Sequence, residues 1–210
     1  MDQFPLITQK YADYLLFKQG YDLVANKQHL TISGLHQIVG LKSSMNLGLS
    51  DHLKESFPNI VPAIRPLVVN QLIANPQWLA GFASAEGCFF IGINKSSTTK
   101  TKVNIQLEFQ LTQHIRDEFL IKSLVEYWNC GSAHQSNNVF RYRVSKFRDL
   151  SEKIIPFFEE HPIVGIKSKD FKDFCTVVDM MKEKKHLSFE AIEQIRIIKS
   201  GTNTGRDKSI

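Results

Sequence analysis

A chain of 210 residues, 42% of them apolar, can bury one large core or two modest ones, and a formal charge of +5 suits a polyanionic partner without demanding one. Its three cysteines, Cys88, Cys130 and Cys175, stand too far apart for a zinc site or a disulfide framework, so reduced thiols in an intracellular compartment are expected. No apolar run approaches membrane-spanning length, and the start, Met1-Asp2-Gln3-Phe4-Pro5, carries neither a secretory nor an arginine-rich transit pattern, so the expectation is a protein made where it works, with no membrane partner.

In chain order, Tyr11 to about Ala25 reads as a helix, with Tyr14, Phe17, Tyr21 and Val24 at three- and four-residue steps. Thr31 or Ser33 is a candidate N-cap for a second helix that runs to about Ser44. Residues 58–75 follow as an extended linker, because Pro58, Pro62 and Pro66 forbid a long helix. A mostly apolar helix spans Pro76 to about Gly87, followed by a strand from Cys88 to Lys95 and a polar loop. In the next strand Val103, Ile105, Leu107, Phe109 and Leu111 share one face, and Lys102, Asn104, Gln106, Glu108, Gln110 and Thr112 the other. Period two over this length marks a half-buried antiparallel strand, with Gln106 and Gln110 exposed.

A helix from Arg116 to Trp128 then closes at Asn129-Cys130-Gly131. Asn137-Asn138 is a hairpin turn into a last strand, where Phe140, Tyr142 and Val144 alternate with Arg141, Arg143 and Ser145. Helices are expected at about 147–159, 168–185 and 188–200. The class is α+β, with a twisted four-stranded antiparallel sheet backed by helices.

The chain also repeats itself. Pro5 aligns with Pro162 at an offset of 157, and without a gap Lys10, Asp13, Phe17 and Asp22 meet Lys167, Asp170, Phe174 and Asp179. The match continues through Lys27/Lys184, His29/His186 and Leu30/Leu187 to Asn46/Asn203 and Gly48/Gly205. Fourteen of about 45 positions are identical, where chance gives roughly three, so the duplication is real. The second copy is preceded by about residues 76–161, which have no counterpart ahead of the first.

The helix Leu79-Ala80-Gly81-Phe82-Ala83-Ser84-Ala85-Glu86-Gly87 sets Gly81 and Ala85 four apart on one face, with Ala80 and Ser84 as a neighbouring small pair. Small residues at that spacing let another helix approach almost backbone to backbone. Glu86 at its end is either a solvated terminal carboxylate or one that ligates or pairs.

This segment resembles the LAGLIDADG motif of the homing endonucleases, with Leu79-Ala80-Gly81 and Ala85-Glu86-Gly87 in the motif's places. The likeness extends through Gly87-Cys88-Phe89-Phe90-Ile91, Phe109-Gln110-Leu111-Thr112-Gln113-His114, Phe147-Arg148-Asp149-Leu150, and Pro162-Ile163 leading to Lys167-Ser168. It covers essentially all of 76–210 as one complete repeat, and leaves 1–57 as the helical tail of a preceding, truncated one.

The resemblance implies site-specific hydrolysis of double-stranded DNA and intron mobility, in an organelle, the mitochondrion. It implies motif helices paired at a pseudo-twofold interface, each delivering one acid to divalent metal ions, normally Mg²⁺. Glu86 would be the metal ligand here, Gln113 would support the water network, and Lys167 would be the basic residue near the scissile phosphate, with Lys10 its counterpart. On its own Lys167 reads equally as a solvated surface lysine. DNA recognition would use the polar sheet face: Phe90, Gly92, Asn94, Lys102, Asn104, Gln106, Glu108, Gln110, Arg141, Arg143 and Ser145. Lys182, Lys184 and Lys185 are either solvated or phosphate contacts.

The chain departs from the two-repeat pattern in carrying one motif acid, since the same offset places the first before Met1. It is therefore expected to be the rear portion of a longer product, a remnant, or a chain that pairs with a second copy. Alternatives to the endonuclease are an RNA-binding intron maturase that assists splicing and a noncatalytic DNA-binding remnant.

Overall fold

The computed structural model describes residues 5–69 and 71–206. The four residues at each end of the chain, and Asn70 in the expected linker, lie outside them. The chain divides into two compact units, Met1–Leu72 and Ile73–Ile210.

The first unit is helical. Helix α1 (Lys10–Ala25) leads through a left-handed Lys27 and a single 3₁₀ turn to α2 (Ile32–Ser43). Thr31 is the N-cap, its hydroxyl accepting the Gly34 N–H at 3.0 Å. A short helix, α3 (Asp51–Ser56), was not legible in the sequence, since six residues give too little periodicity. Ser50 caps it by accepting the Leu53 N–H.

The proline-containing stretch that follows has no helix or strand among its described residues, as the prolines dictate. It is not a free linker, however. The Ala63 N–H donates to the Gly40 carbonyl at 3.0 Å, and Arg65 donates to the Ser44 and Gln9 carbonyls at 2.9 and 3.0 Å. At Gly40 an added Cβ would lie 2.7 Å from the Val61 carbonyl oxygen, so glycine permits this approach. The division between compact units falls after Leu72, inside the segment 58–75 expected as a linker.

In the second unit, α4 (Pro76–Glu86) runs directly into β1 (Gly87–Lys95), which pairs with β2 (Val103–His114). Helix α5 (Glu118–Trp128) ends on a left-handed Asn129 and leads to the hairpin β3 (Ser132–Ser136) and β4 (Val139–Val144). The sheet is antiparallel throughout, in the order β1-β2-β4-β3. Beyond it come α6 (Phe147–Asp149), a π-helical segment at Leu150–Ile154, α7 (Ile155–Glu160), α8 (Lys167–Lys182) and α9 (Phe189–Ser200).

The helices cover one sheet face. Phe89 of β1 sits at the centre of this core, its ring 5.1 Å from Phe109 and Phe171, 5.5 Å from Phe174 and 5.7 Å from Phe158. Ile105, Leu107, Phe109 and Leu111 are buried from β2, as the alternation predicts, and Val103 is partly so.

The duplication is structural as well as sequential. Lys27 and Lys184 are both left-handed, as are Asn46 and Asn203. Ser188 caps α9 by accepting the Ala191 N–H, the equivalent of Thr31 on α2. In each unit a buried aspartate accepts the backbone N–H of the left-handed asparagine: Asp13 from Asn46 at 3.1 Å and Asp170 from Asn203 at 3.2 Å. An arginine pairs with each aspartate, Arg65 with Asp13 at 2.5 Å and Arg206 with Asp170 at 2.8 Å. These arginines break the 157-residue offset, so the contact is shared although the residues that make it are not aligned.

Candidate active site

Glu86 is the last residue of α4, exposed, and its carboxylate has no partner among the described residues. Because Gly87 opens β1 and pairs with Leu111, the acid stands where the motif helix meets the sheet. Lys167, the first residue of α8, reaches this junction and donates from Nζ to the Gly87 carbonyl at 2.6 Å. Gln113 lies two residues beyond Leu111 on the same end of β2, half-buried, paired in register with Phe140. Three of the four expected catalytic residues thus converge on one corner of the second unit. The fourth, Lys10, lies in the first unit, where Nζ donates to Asn46 Oδ1 at 2.9 Å.

Gly81 and Ala85 are exposed along α4, and a Cβ at Gly81 would meet nothing within 4 Å. The other small pair does not share that open face. Ala80 is buried, and the Ser84 hydroxyl donates to the Ala80 carbonyl at 2.7 Å and accepts the Val164 N–H at 3.0 Å. Ala80 therefore belongs to the packed side of the helix, which corrects the interface role expected of it, while the half-buried Ser84 has its hydroxyl engaged within the unit.

A carboxylate is a hard oxygen ligand suited to Mg²⁺ or Ca²⁺, so the exposed Glu86 fits one half of a divalent site. Among the described residues, no group of three or more Asp, Glu, His or Cys converges to complete such a site.

The polar sheet face departs from the expectation at five residues. Lys102 precedes β2, in a turn at φ 54°, so it is not a strand residue. Ser145 is exposed but lies past the end of β4. Glu108 has the parity of the polar face yet is only 4% exposed, so it is no free surface group. Its oxygens accept from Arg143 and Gln110. Gln106 and Gln110 are half-buried rather than exposed, since Gln106 accepts from Asn94 at 3.1 Å and Gln110 is drawn to Glu108. Asn94, Asn104, Arg141 and Arg143 are exposed, and Arg141 donates to Thr112 at 3.3 Å.

The sequence reading missed several residues of this face. Ser132 and His134 of β3 pair in register with Arg143 and Arg141. Ala133 is the one apolar residue of that five-residue strand, so it gave no alternation to read. Lys199 of α9 brings its ammonium to 5.9 Å from the exposed Phe90 ring.

The model of the family described as LAGLIDADG endonuclease matches residues 79–178. Two relatives from Neurospora crassa are described as probable intron-encoded endonucleases 3 and 2. The first is 38% identical over 201 residues, spanning 94% of this chain and 38% of the relative. The second is 36% identical over 211 residues, spanning 95% of this chain and 45% of the relative. The chain thus spans less than half the length of either. Among solved structures, the I-SmaMI LAGLIDADG homing endonuclease bound to cleaved DNA superposes with a TM-score of 0.95 at 44% identity, over 98% of this chain and 69% of that one. The I-LtrWI homing endonuclease bound to target DNA gives 0.91 at 42%, over 98% and 70%.

Proposed function

The chain belongs to the LAGLIDADG homing endonuclease family, and on that footing we propose that it supplies one half-site of an enzyme that hydrolyses phosphodiester bonds of double-stranded DNA at a specific site. The observation that carries this reading is the open motif helix: Gly81 and Ala85 uncovered, ending beside Lys167 on Glu86, which is unpaired among the described residues.

Glu86 offers one hard ligand, and an acid from a second motif helix offers the other. A divalent ion bound by Glu86 and such an acid would supply Lewis-acid stabilisation and an activated water. Lys167, tethered beside Glu86, places positive charge where the scissile phosphate comes to lie. Gln113 orients water at the same corner, and Lys10 is the equivalent of Lys167 in the preceding repeat. The polar face of the sheet follows the major groove, where Asn104 and Gln106 suit adenine edges and Arg143 suits guanine. The enzyme acts in the mitochondrion on the insertion site of its own intron.

A further contrast supports completion by a preceding repeat rather than by a free surface. Phe174 is fully buried against Phe89, whereas its duplicate Phe17 is 61% exposed. Asn203 donates its side-chain amide to the Phe89 carbonyl at 3.1 Å, whereas its duplicate Asn46 is engaged by Lys10. The first unit therefore presents the surface that in the second unit holds a β1-like strand, as the tail of a repeat would.

The test joins a first repeat upstream of Met1 and assays Mg²⁺-dependent cleavage of a duplex carrying the intron-insertion sequence. Site-specific double-strand cleavage by the fusion, and none by the 210-residue chain as a demonstrated monomer, is expected. Cleavage by that monomer would overturn the half-site reading, and cleavage by a homodimer would make the second copy the partner. Binding of intron RNA with splicing assistance and no DNA cleavage would make the chain a maturase.

A further inference from the structure

We propose that Glu108 is a specificity-positioning residue: it holds the Arg143 guanidinium in one orientation, so that this side chain reads a guanine edge instead of seeking a phosphate. The inference rests on the sheet's polar face being the DNA-binding face. It names the device that separates base reading from charge attraction on that face.

A carboxylate on a surface that receives DNA is repelled by phosphates, and burying one is costly unless both oxygens are satisfied. Glu108 meets both conditions at once. It is opposite Phe90 in the β1–β2 register, and its side chain is 5% exposed. Arg143 donates to Oε2 from Nε and approaches the same oxygen with Nη2, and Gln110 donates to Oε1. Gln110 and Arg143 are themselves direct partners across β2 and β4. One buried acid thus fixes the polar groups of a cross-strand pair, and both of its oxygens are occupied by them.

The consequence lies in what remains of Arg143. Its side chain is still 43% exposed. With Nε and one Nη2 hydrogen committed to Glu108, the Nη1 end and the second Nη2 hydrogen remain. Of these three N–H groups, one on each nitrogen points the same way, giving the two parallel donors that guanine O6 and N7 accept. The ion pair is neutral overall, so it adds little to sequence-independent attraction. Arg141 is the internal control: it stands on the same strand and face, but among the described residues its Nε has only the neutral Thr112 hydroxyl, at 3.3 Å. A guanidinium held so lightly serves phosphates.

The experiment uses the 210-residue chain with its Glu108→Gln, Arg143→Lys and Arg141→Ala variants. Each is titrated with random-sequence duplex across a salt series, and each is used to select preferred duplexes from a randomised pool. Glu108→Gln is expected to bind random duplex about three- to tenfold tighter at low salt, with a log–log salt slope steeper by about one, and to lose preference at one G·C pair. Arg143→Lys keeps the charge without the planar fork, so it should lose the same preference with the slope unchanged. Arg141→Ala should weaken binding uniformly and keep the preference.

A purely structural Glu108 would leave both slope and preference unmoved, and that result overturns the proposal. Should Glu108→Gln fail to fold, as read from its thermal melt, retention of the G·C preference by Arg143→Lys overturns it equally. If the parent chain binds no duplex at any salt, the nucleic-acid reading beneath it falls, and the positioning role falls with it.

Discussion

Lys167 Nζ and the Gly87 carbonyl are hydrogen-bonded at 2.6 Å across 80 residues of sequence. The bond ties the first turn of α8 to the point where the motif helix becomes β1, beside the acid that ends that helix. A lysine so placed carries its charge to the corner without a salt bridge to Glu86 that would cancel it. In the assembled enzyme, Lys167→Met is expected to slow single-turnover cleavage about 10²- to 10³-fold while duplex affinity stays within a few-fold. The lost tether costs about 1 kcal/mol of stability, measurable by denaturant titration. Equal losses of affinity and cleavage would make Lys167 a binding residue only.

Glu86→Gln removes the negative charge and keeps the shape. Cleavage by the assembled enzyme should fall below detection at any Mg²⁺ concentration, with duplex binding preserved. Calorimetric titration of the divalent ion should show the loss of one ligand. Retained cleavage would exclude Glu86 as a ligand.

Gly81 separates folding from assembly. Since a Cβ there meets nothing within 4 Å, Gly81→Ala should stabilise the isolated chain by about 0.5–1 kcal/mol through helix propensity. Gly81→Leu should fold equally well but fail to pair with a second motif helix, so the fused enzyme loses cleavage. Gly87 behaves oppositely: a Cβ there would lie 2.5 Å from the Ala83 carbonyl oxygen. Thermal melts of both positions, beside cleavage assays, distinguish the two roles.

Strand β2 was readable because its core-facing positions are uniformly large and apolar, and α4 because small residues at helical spacing end on an acid. What could not be read was the pairing of polar groups with one another. Glu108 has the parity of an exposed residue, and only the β2–β4 register that brings Arg143 alongside explains its burial. Ala80 reads as an interface residue because spacing gives a helix face but not its rotation against the sheet. The proline-containing segment lacked regular structure as foreseen. Its docking through Arg65 depends on Asp13, 52 residues away, and no local pattern announces that.

Asp13 makes the first unit acid-sensitive. The Arg65 guanidinium hydrogen-bonded to Asp13 holds its carboxyl below the usual carboxylate range, against the opposing pull of burial, with help from the Asn46 N–H. A carboxylate depressed in the folded state contributes stability that is fully present above its unfolded value. That contribution is lost as pH falls through the folded one. Stability should therefore be flat near neutrality and decline below about pH 4, more steeply than in Asp13→Asn. Urea titrations of both proteins between pH 3 and 7 provide the check, and parallel curves would remove Asp13 as the cause.

Phe17 and Phe174 are the same residue at duplicated positions with opposite burial, 61% and 0% exposed. Phe174 contributes to the aromatic core around Phe89, so Phe174→Ala should cost about 3–5 kcal/mol in the 210-residue chain. Phe17→Ala should cost well under 1 kcal/mol there and reduce any self-association, because an exposed phenylalanine on an apolar face favours sticking. Once a first repeat is fused upstream, Phe17 acquires the setting that Phe174 already has, and Phe17→Ala should then destabilise by a comparable amount. Denaturation of the four proteins, chain and fusion with and without Phe17, measures this difference directly. A Phe17→Ala cost that does not rise on fusion would mean that the first unit is not the seat of a preceding repeat's strand.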